Sequence, residues 1–262
     1  SIPADSRPGN PGDPDFIIPK CRCKTTDCFS AVLDLTDGTG QAIMKCMETM
    51  STRIDGCIRC GACCRSGGPA LHREDRRLVE TGLIHTRDLY TLRRGEMAYD
   101  QIRRVVVPVR REIIKIKGQG ATWTCRFFDA AAATCGIYAE RPLECRLLEC
   151  WNTARIERAY ARGRLARRDL LAGIQGLWPV VEEHERRCDH RRIRKLLAPG
   201  RGAGAVRRRH ELTEILHYDG ELRARVLARI GLEAEMLDFL FGRPLPKTLR
   251  ALQAAAGRSP RP

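Results

Sequence analysis

Four cysteines stand within eight residues, at positions 57, 60, 63 and 64, in the pattern C-x-x-C-x-x-C-C. A gap of two residues lets the chain loop around an ion or the edge of a cluster, so that neighbouring thiolates converge. Gly61 makes the turn between Cys60 and Cys63 sterically easy. The run therefore predicts a site that binds a metal ion or a metal cluster.

A disulfide framework is the alternative use of many cysteines. The chain has 13 cysteines, an odd number, so complete pairing cannot use all of them. The adjacent Cys63 and Cys64 could pair only through a strained ring. A chain of 262 residues is also long enough to bury a core without covalent staples. Metal ligation is therefore the preferred interpretation.

Two further cysteines follow in a region that predicts short strands. β-Branched and aromatic residues favour strands at Val105–Val107, Ile113–Ile116 and Trp123–Phe127. A turn after Asp129 then brings the chain back at Cys135. A hairpin of this kind would hold the thiols of Cys125 and Cys135 near one point on its inner surface.

Cys145 and Cys150 follow Pro142, a residue that suits the first turn of a helix. Residues five apart lie about 140° from each other around a helix. The two thiols can therefore face one site only if the helix ends between them. Cys145 is favoured as the ligand, and the role of Cys150 stays open.

Together these residues resemble the YkgJ-type cysteine-cluster family, whose members are described as zinc- or iron-chelating. The resemblance covers residues 57–151, and it rests on the C-x-x-C-x-x-C-C run, the two hairpin cysteines and the pattern R-P-x-x-C-R that ends at Arg146. It implies a metal-binding or iron–sulfur protein with eight cysteine ligands: Cys57, Cys60, Cys63, Cys64, Cys125, Cys135, Cys145 and Cys150. A methyl-transferring relative with a similar motif adds a cysteine-dependent or methyl-transfer enzyme as an alternative, although no glycine-rich cofactor loop supports it.

The spacing also bears on the kind of metal. Three cysteines at two-residue intervals plus a remote fourth are a common way to hold a cubane [4Fe–4S] cluster. Tetrahedral zinc more often takes two separate C-x-x-C knuckles, whereas here the knuckles overlap at Cys60. An iron–sulfur cluster is therefore favoured over zinc as the cofactor.

Two other groups of residues are weaker candidates. Cys21, Cys23, Cys28 and Cys46 could form a second metal site. Cys188 shares one face of a predicted helix with Leu177, Val181 and His184. It is either a ninth ligand, with His184 beside it, or a small core residue next to a hydrogen-bonded histidine. His190 lies off that face and is expected to contact solvent.

The predicted fold class is α+β, with a small cysteine-rich centre containing short strands and a mainly helical C-terminal half. Its segments are a flexible, proline-rich lead-in (1–20), a cysteine-containing stretch (21–56), the metal-binding domain (57–151), a basic helical region packed on it (152–256) and a polar tail (257–262). Helices are predicted over 153–162, 167–174, 179–197, 206–230 with a break near Gly220, 233–241 and 247–255.

The net positive charge of the chain indicates which classes of partner it can bind. The formal net charge is +15, and the stretch 151–210 alone holds 16 Arg and Lys against 6 Asp and Glu. Such a surface attracts anions, whether nucleic acid, an acidic protein or a lipid headgroup. The iron–sulfur interpretation adds a protein redox partner as the other expected partner. Nucleic acid is a less favoured partner, because aromatic residues make up 5% of the chain and do not interleave with the basic ones. No run is apolar enough for a membrane span or a secretory leader, so a reducing cytoplasm is expected.

Overall fold

The computed structural model describes Cys57 and residues 59–256. The lead-in predicted for 1–20, the stretch 21–56 and the tail 257–262 lie outside the described residues. The second metal site suggested for Cys21, Cys23, Cys28 and Cys46 therefore stays a prediction.

In the part of the chain that the structure describes, six short strands form three antiparallel pairs, and the first of these pairs lies in the main core. The pairs are β1 (Leu89–Leu92) with β4 (Ile113–Ile116), β2 (Met97–Asp100) with β3 (Val105–Pro108), and β5 (Phe128–Asp129) with β6 (Thr134–Cys135). Every residue of β1 is buried, as are Ile114 and Ile116 of β4. The strands predicted near Val105 and Ile113 are confirmed.

Helices make up most of the remainder. In chain order they are α1 (Ala62–Arg65), α2 (Arg76–Glu80), α3 (Leu143–Leu147), α4 (Ala154–Ala159), α5 (Arg167–Leu171), α6 (Leu177–Arg187), α7 (His190–Leu196), α8 (Ala203–Ile230), α9 (Leu237–Phe241) and α10 (Leu245–Ala256). Single 3-10 turns lie at Arg73–Asp75, Thr86–Asp88 and Ala234–Met236. The α+β class, with a helical C-terminal half, is confirmed. None of the helices that the structure describes is both long and apolar enough to cross a membrane.

The helical half is joined to the strands through α9 and a group of buried charges. The Thr91 hydroxyl of β1 donates a hydrogen bond to the Phe239 carbonyl of α9 at 2.7 Å. Arg93 and Arg167 are fully buried, and both pair with Glu185 of α6, at 2.8 and 2.7 Å. Since buried charges are tolerated only when paired, these contacts specify how α6 sits against the strands.

The sequence also predicts a short helix that Thr86 caps and that runs to Arg94, before Gly95, and this prediction is wrong. Only Thr86–Asp88 forms a 3-10 turn, and the next four residues form β1. Tyr90 and Thr91 favour strands, and all of β1 is buried against its partner strand and α9. A short run buried on every side carries no period that separates a strand from a helix.

The strand predicted over Trp123–Phe127 is also wrong. Cys125 makes only an isolated bridge to Gly118, and the regular pairing begins at Phe128. The side-chain amide of Gln119 donates to the carbonyls of Cys125 and Phe128, at 3.0 and 2.5 Å. A side chain thus satisfies backbone groups that a neighbouring strand would otherwise pair.

Two predictions about the C-terminal helices are wrong for local reasons. His190 is buried rather than solvated, because α6 ends at Arg187 and a separate helix begins at His190, so a single helical register does not extend across the two. The break near Gly220 is absent, and α8 continues through it. Asp219 accepts hydrogen bonds from His184 and from the backbone of Leu245, which anchor this part of α8.

Candidate metal centre

Among the described residues, eight cysteines line one cavity of about 170 Å³. Four come from the run that begins at Cys57, and the others are Cys125, Cys135, Cys145 and Cys150. One water molecule takes up about 30 Å³ of liquid volume, so the cavity has room for a centre of several atoms. The structure therefore brings together the eight cysteines that the sequence motifs singled out.

The cysteine run is shaped by a tight turn and the short helix α1. Gly61 adopts φ 72°, and its carbonyl accepts a hydrogen bond from the Arg65 amide at 2.8 Å. The Arg65 guanidinium also donates to the Cys60 carbonyl at 2.9 Å. Cys63 and Cys64 lie within α1, with their Sγ atoms 3.9 Å apart. Cys57 and Cys60, by contrast, are exposed members of the cavity lining.

Backbone hydrogen bonds attach the second group of cysteines to the run. The Cys125 amide donates to the Cys64 carbonyl at 2.7 Å, and the Cys125 carbonyl accepts from the Phe128 amide at 2.9 Å. Phe128 in turn pairs with Cys135 across the β5–β6 hairpin. Two residues far from the run in sequence are thus held against it by the main chain.

The third group of cysteines is Cys145 and Cys150, and whether both can face the cavity depends on where α3 ends. This helix stops at Leu147, between Cys145 and Cys150, and the next residue is extended with ψ 102°. The sequence allowed both thiols to face one site only under this condition. The condition is met, and both cysteines line the cavity.

Two buried carboxylates hold α3 in place. Asp75 accepts hydrogen bonds from the amides of His72 and Leu143, at 2.9 and 2.8 Å. Glu144, next to Cys145, accepts from the Ala70 amide and from the Arg164 guanidinium, both at 2.6 Å. Burial alone would raise the pKa of Glu144, but the hydrogen bond with His72 and the charges of Arg164 and Lys115 lower it to about 2. Glu144 is therefore ionised and positions the helix that carries Cys145.

We expect Glu144→Gln to lower the free energy of unfolding by about 1–3 kcal/mol, because the amide leaves a largely buried arginine without its counter-charge. Urea unfolding followed by circular dichroism measures the change. Glu140→Gln is the matched control, since Glu140 is exposed in the same region. Equal stability of the two variants would show that Glu144 does not anchor α3.

Three of the cavity thiols, those of Cys63, Cys125 and Cys145, hold their protons firmly when no metal is bound. A hydrogen bond with Cys64 and burial raise the pKa of Cys63 far above its usual range. Burial raises the pKa of Cys125 to about 11 and also raises that of Cys145, and in both cases neighbouring cavity thiols add to the effect. An activated cysteine nucleophile needs the opposite shift. Metal binding at these thiols must instead displace protons.

Three cations also line the cavity. The guanidinium carbons of Arg59 and Arg141 lie 4.4 and 4.2 Å from the centre of the Tyr138 ring. Lys115 projects from β4, where burial lowers its pKa and Glu144 opposes that shift. Lys115 was not among the predicted site residues. The signal was present, because Ile114 and Ile116 face the core and strand alternation turns the residue between them to the opposite side.

A comparison with known families bears on this cavity. Residues 56–161 match the CxxCxxCC family model, described as "Putative zinc- or iron-chelating domain". The match covers residues 56–161 of the 262 in the chain, and it confirms the predicted resemblance. All eight cavity cysteines fall inside the matched segment, while Cys188 falls outside it. No curated protein and no solved structure matches the chain.

Cys188 lies in a separate place, beyond the matched segment. It is fully buried with Ile193 and Leu245, and it is absent from the described lining of the cavity. One ligand-type atom from each of His184, Cys188 and Asp219 lies within 4.8 Å of the others. Asp219 is occupied, however, because it accepts from His184 at 2.8 Å and from Arg223 at 2.9 Å. Burial raises the pKa of Cys188 to about 12, so this environment fits the core-residue interpretation of Cys188.

Two buried histidines make stability depend on pH. Burial and the nearby Arg93 lower the pKa of His190 to about 4, and burial lowers that of His184 to about 4. Unfolded histidine titrates near ~6.5, so the unfolded chain gains protons first as the pH falls. The stabilisation is complete above about pH 6.5 and is lost as the pH falls towards 4.

When the pH is lowered from about 7 to about 5, we expect the free energy of unfolding to fall less in His190→Gln than in the parent. The two decreases should differ by about 1–2 kcal/mol. The check is urea unfolding of both proteins at the two pH values. Both proteins keep Glu96, whose carboxylate lies 3.7 Å from His190, so the titration of Glu96 is present on both sides of the comparison. Parallel pH dependence in the two proteins would mean that His190 does not stay neutral in the folded state.

Proposed function

We propose that the cavity binds an iron–sulfur cluster of the [4Fe–4S] type and that the protein has a redox or other cluster-dependent role. In this assignment Cys57, Cys60 and Cys63 bind three of the irons and Cys145 supplies the remote fourth thiolate. The observation that carries the proposal is the convergence of eight cysteines, from distant parts of the chain, on one cavity. When bound, such a cluster supplies one-electron chemistry.

The charges around the cavity support a thiolate-bound centre. Four thiolates give a bound cluster a net negative charge, which nearby cations stabilise. Arg59 and Arg141 stack on Tyr138, and among the described residues neither forms an ion pair with a carboxylate. Lys115 adds a third positive charge from the cavity wall. These residues balance the charge that deprotonating the cysteines would create.

Eight thiols exceed the needs of one cubane. Cys64, Cys125, Cys135 and Cys150 would remain after the first four ligands are assigned. They are enough for a second centre in the same cavity, and the ratio of iron to protein distinguishes the two arrangements. One cluster requires about four irons and four sulfides per chain, and two clusters require about twice as many.

Zinc is the second candidate, because Cys63, Cys125 and Cys135 lie close enough to Cys145 to raise the pKa of its thiol. Four thiolates brought together in this way suit a structural Zn²⁺. The protein would then be a binding module whose arginine-rich helices dock an anionic partner. The cluster is preferred because the overlapping C-x-x-C units share Cys60.

The deciding experiment is oxygen-free purification followed by iron, zinc and sulfide analysis with an absorption spectrum. We expect a brown protein with iron and sulfide in equal amounts and absorption near ~400 nm. A colourless protein that holds zinc and no sulfide would overturn the cluster and leave the binding module. An oxygen-sensitive centre would also fit a location in the reducing cytoplasm.

A further inference from the structure

The β2–β3 hairpin exposes apolar side chains beside the metal centre. Three of them are well exposed: Ile102 at 44%, Val105 at 46% and Val106 at 41%. Val105 and Val106 are adjacent in β3, so they point to opposite faces, and the ribbon is exposed on both sides. A two-stranded ribbon with this much exposed apolar area gains little stability by itself, and such patches commonly mark interaction sites.

The hairpin tip continues into the lining of the cavity. Gln101, which precedes Ile102, lines the cavity together with Trp151. Trp151 is 42% exposed, and Cys57 and Cys60 are exposed at the same cavity. Exposed apolar side chains therefore lie on the cavity lining, at Trp151, and next to it in the chain, at Ile102.

This region is also basic. Arg103 and Arg104 are exposed at the hairpin tip, and Arg59 and Arg141 lie over Tyr138 at the cavity. Of these four, Arg103 alone has an ion pair in the described part of the chain, a long one of 3.9 Å with Asp100. Two guanidinium groups held on one aromatic ring are at most about 9 Å apart and repel each other, so an anionic surface would relieve the repulsion.

We propose that a rim formed by Gln101–Val106, Trp151 and the Arg59 and Arg141 pair is the docking surface for an acidic protein that carries single electrons. The proposal rests on the iron–sulfur function proposed above. Exposed aliphatic and aromatic groups with arginine around them are the composition of protein interfaces, whereas a nucleic-acid site has little use for the exposed valines. One electron passes from the reduced carrier to the centre, and no atoms are exchanged.

The first test is binding of an acidic flavodoxin, measured by calorimetry at low and at moderate salt. We expect Arg103→Glu/Arg104→Glu to weaken the dissociation constant at least about tenfold at low salt and to reduce its salt dependence. Arg207→Glu/Arg209→Glu is the matched control, since it makes the same change of net charge at exposed positions of α8. Equal effects of the two variants would overturn the surface and leave only non-specific attraction.

The second test replaces the apolar part of the rim. Ile102→Ser/Val106→Ser is expected to weaken binding several-fold while leaving the salt dependence unchanged, because apolar contacts are insensitive to screening. Ile174→Ser/Val206→Ser is its control, since both residues are exposed away from the rim. Unchanged binding by the rim variant, or rim-dependent binding to anionic lipid vesicles without binding to flavodoxin, overturns the proposal.

Reduction kinetics distinguish failure of the docking-surface proposal from failure of the iron–sulfur function on which it rests. Dithionite should reduce the centre equally fast in the parent and in the rim variants, because a small reductant needs no docking surface. Reduction by flavodoxin hydroquinone, which becomes the semiquinone, should slow about tenfold in the rim variants alone. Rim-dependent binding by a chain that holds only zinc would overturn the electron-transfer role and still support the surface as a site for acidic proteins.

Discussion

Cys63→Ser is expected to remove most of the bound metal, with a fall of about tenfold or more in metal per chain. Cys63 is the third cysteine of the run, with its Sγ atom 3.9 Å from that of Cys64. A serine hydroxyl is a poor substitute for a soft thiolate at iron or zinc. Metal binding and folding are coupled, so the variant should also unfold at a lower temperature. Metal analysis and thermal unfolding of the oxygen-free preparation measure the two effects.

Cys188→Ala is the control for this experiment. Cys188 is fully buried, but it lies in the cluster of Ile193 and Leu245 rather than at the cavity. We expect a loss of about 1–2 kcal/mol from the small void and no loss of metal. Loss of metal from this variant, or full retention by Cys63→Ser, would contradict the assignment of the cavity as the metal centre.

Gly61→Ala is expected to lower the free energy of unfolding by about 2–4 kcal/mol and to reduce metal content as well. Gly61 has φ 72°, a conformation that strains any residue with a Cβ atom. An added Cβ would lie 2.2 Å from Cζ of Phe128 and 2.7 Å from the Arg65 guanidinium. Phe128 belongs to the main core, so it has little room to yield. Urea unfolding and metal analysis of the variant check both effects.

Gly136→Ala is the matched substitution in the same region. The nearest atom to a Cβ at Gly136 is the Phe127 carbonyl oxygen at 3.8 Å, an ordinary contact. We expect a change within about 0.5 kcal/mol and unchanged metal. If the two glycine variants behaved alike, the turn at Gly61 would not be what shapes the cysteine run.

Local patterns were enough to predict part of the fold. The β-branched runs at Val105 and Ile113 predicted β3 and β4, because a strand signal needs only a few adjacent residues. The helical half followed from its apolar periodicity, although α6 and α7 divide a segment that appeared as one helix in the sequence. The strand β1 was missed since its burial on every side depends on α9, which lies about 150 residues later.

Residues that support the site were also missed, because their contacts join segments that are far apart in the sequence. Glu144 and His72 are 72 positions apart, and no spacing rule relates them. Their roles follow from a contact that exists only after the chain has folded. The buried pairs of Arg93 and Arg167 with Glu185 were missed for the same reason, since charged residues in a sequence are ordinarily expected at the surface.

The sequence by itself determined the available chemistry: the soft thiols, the spacing of the run and the match of residues 56–161 to the CxxCxxCC family model. Short-range spacing fixes such features because it constrains atoms only a few residues apart. The tertiary structure decided which remote thiols join the run. Cys125 is held there by its bond to the Cys64 carbonyl, whereas α6 carries Cys188 into a separate core. Distances between distant segments depend on strand pairing and burial, which no local pattern encodes.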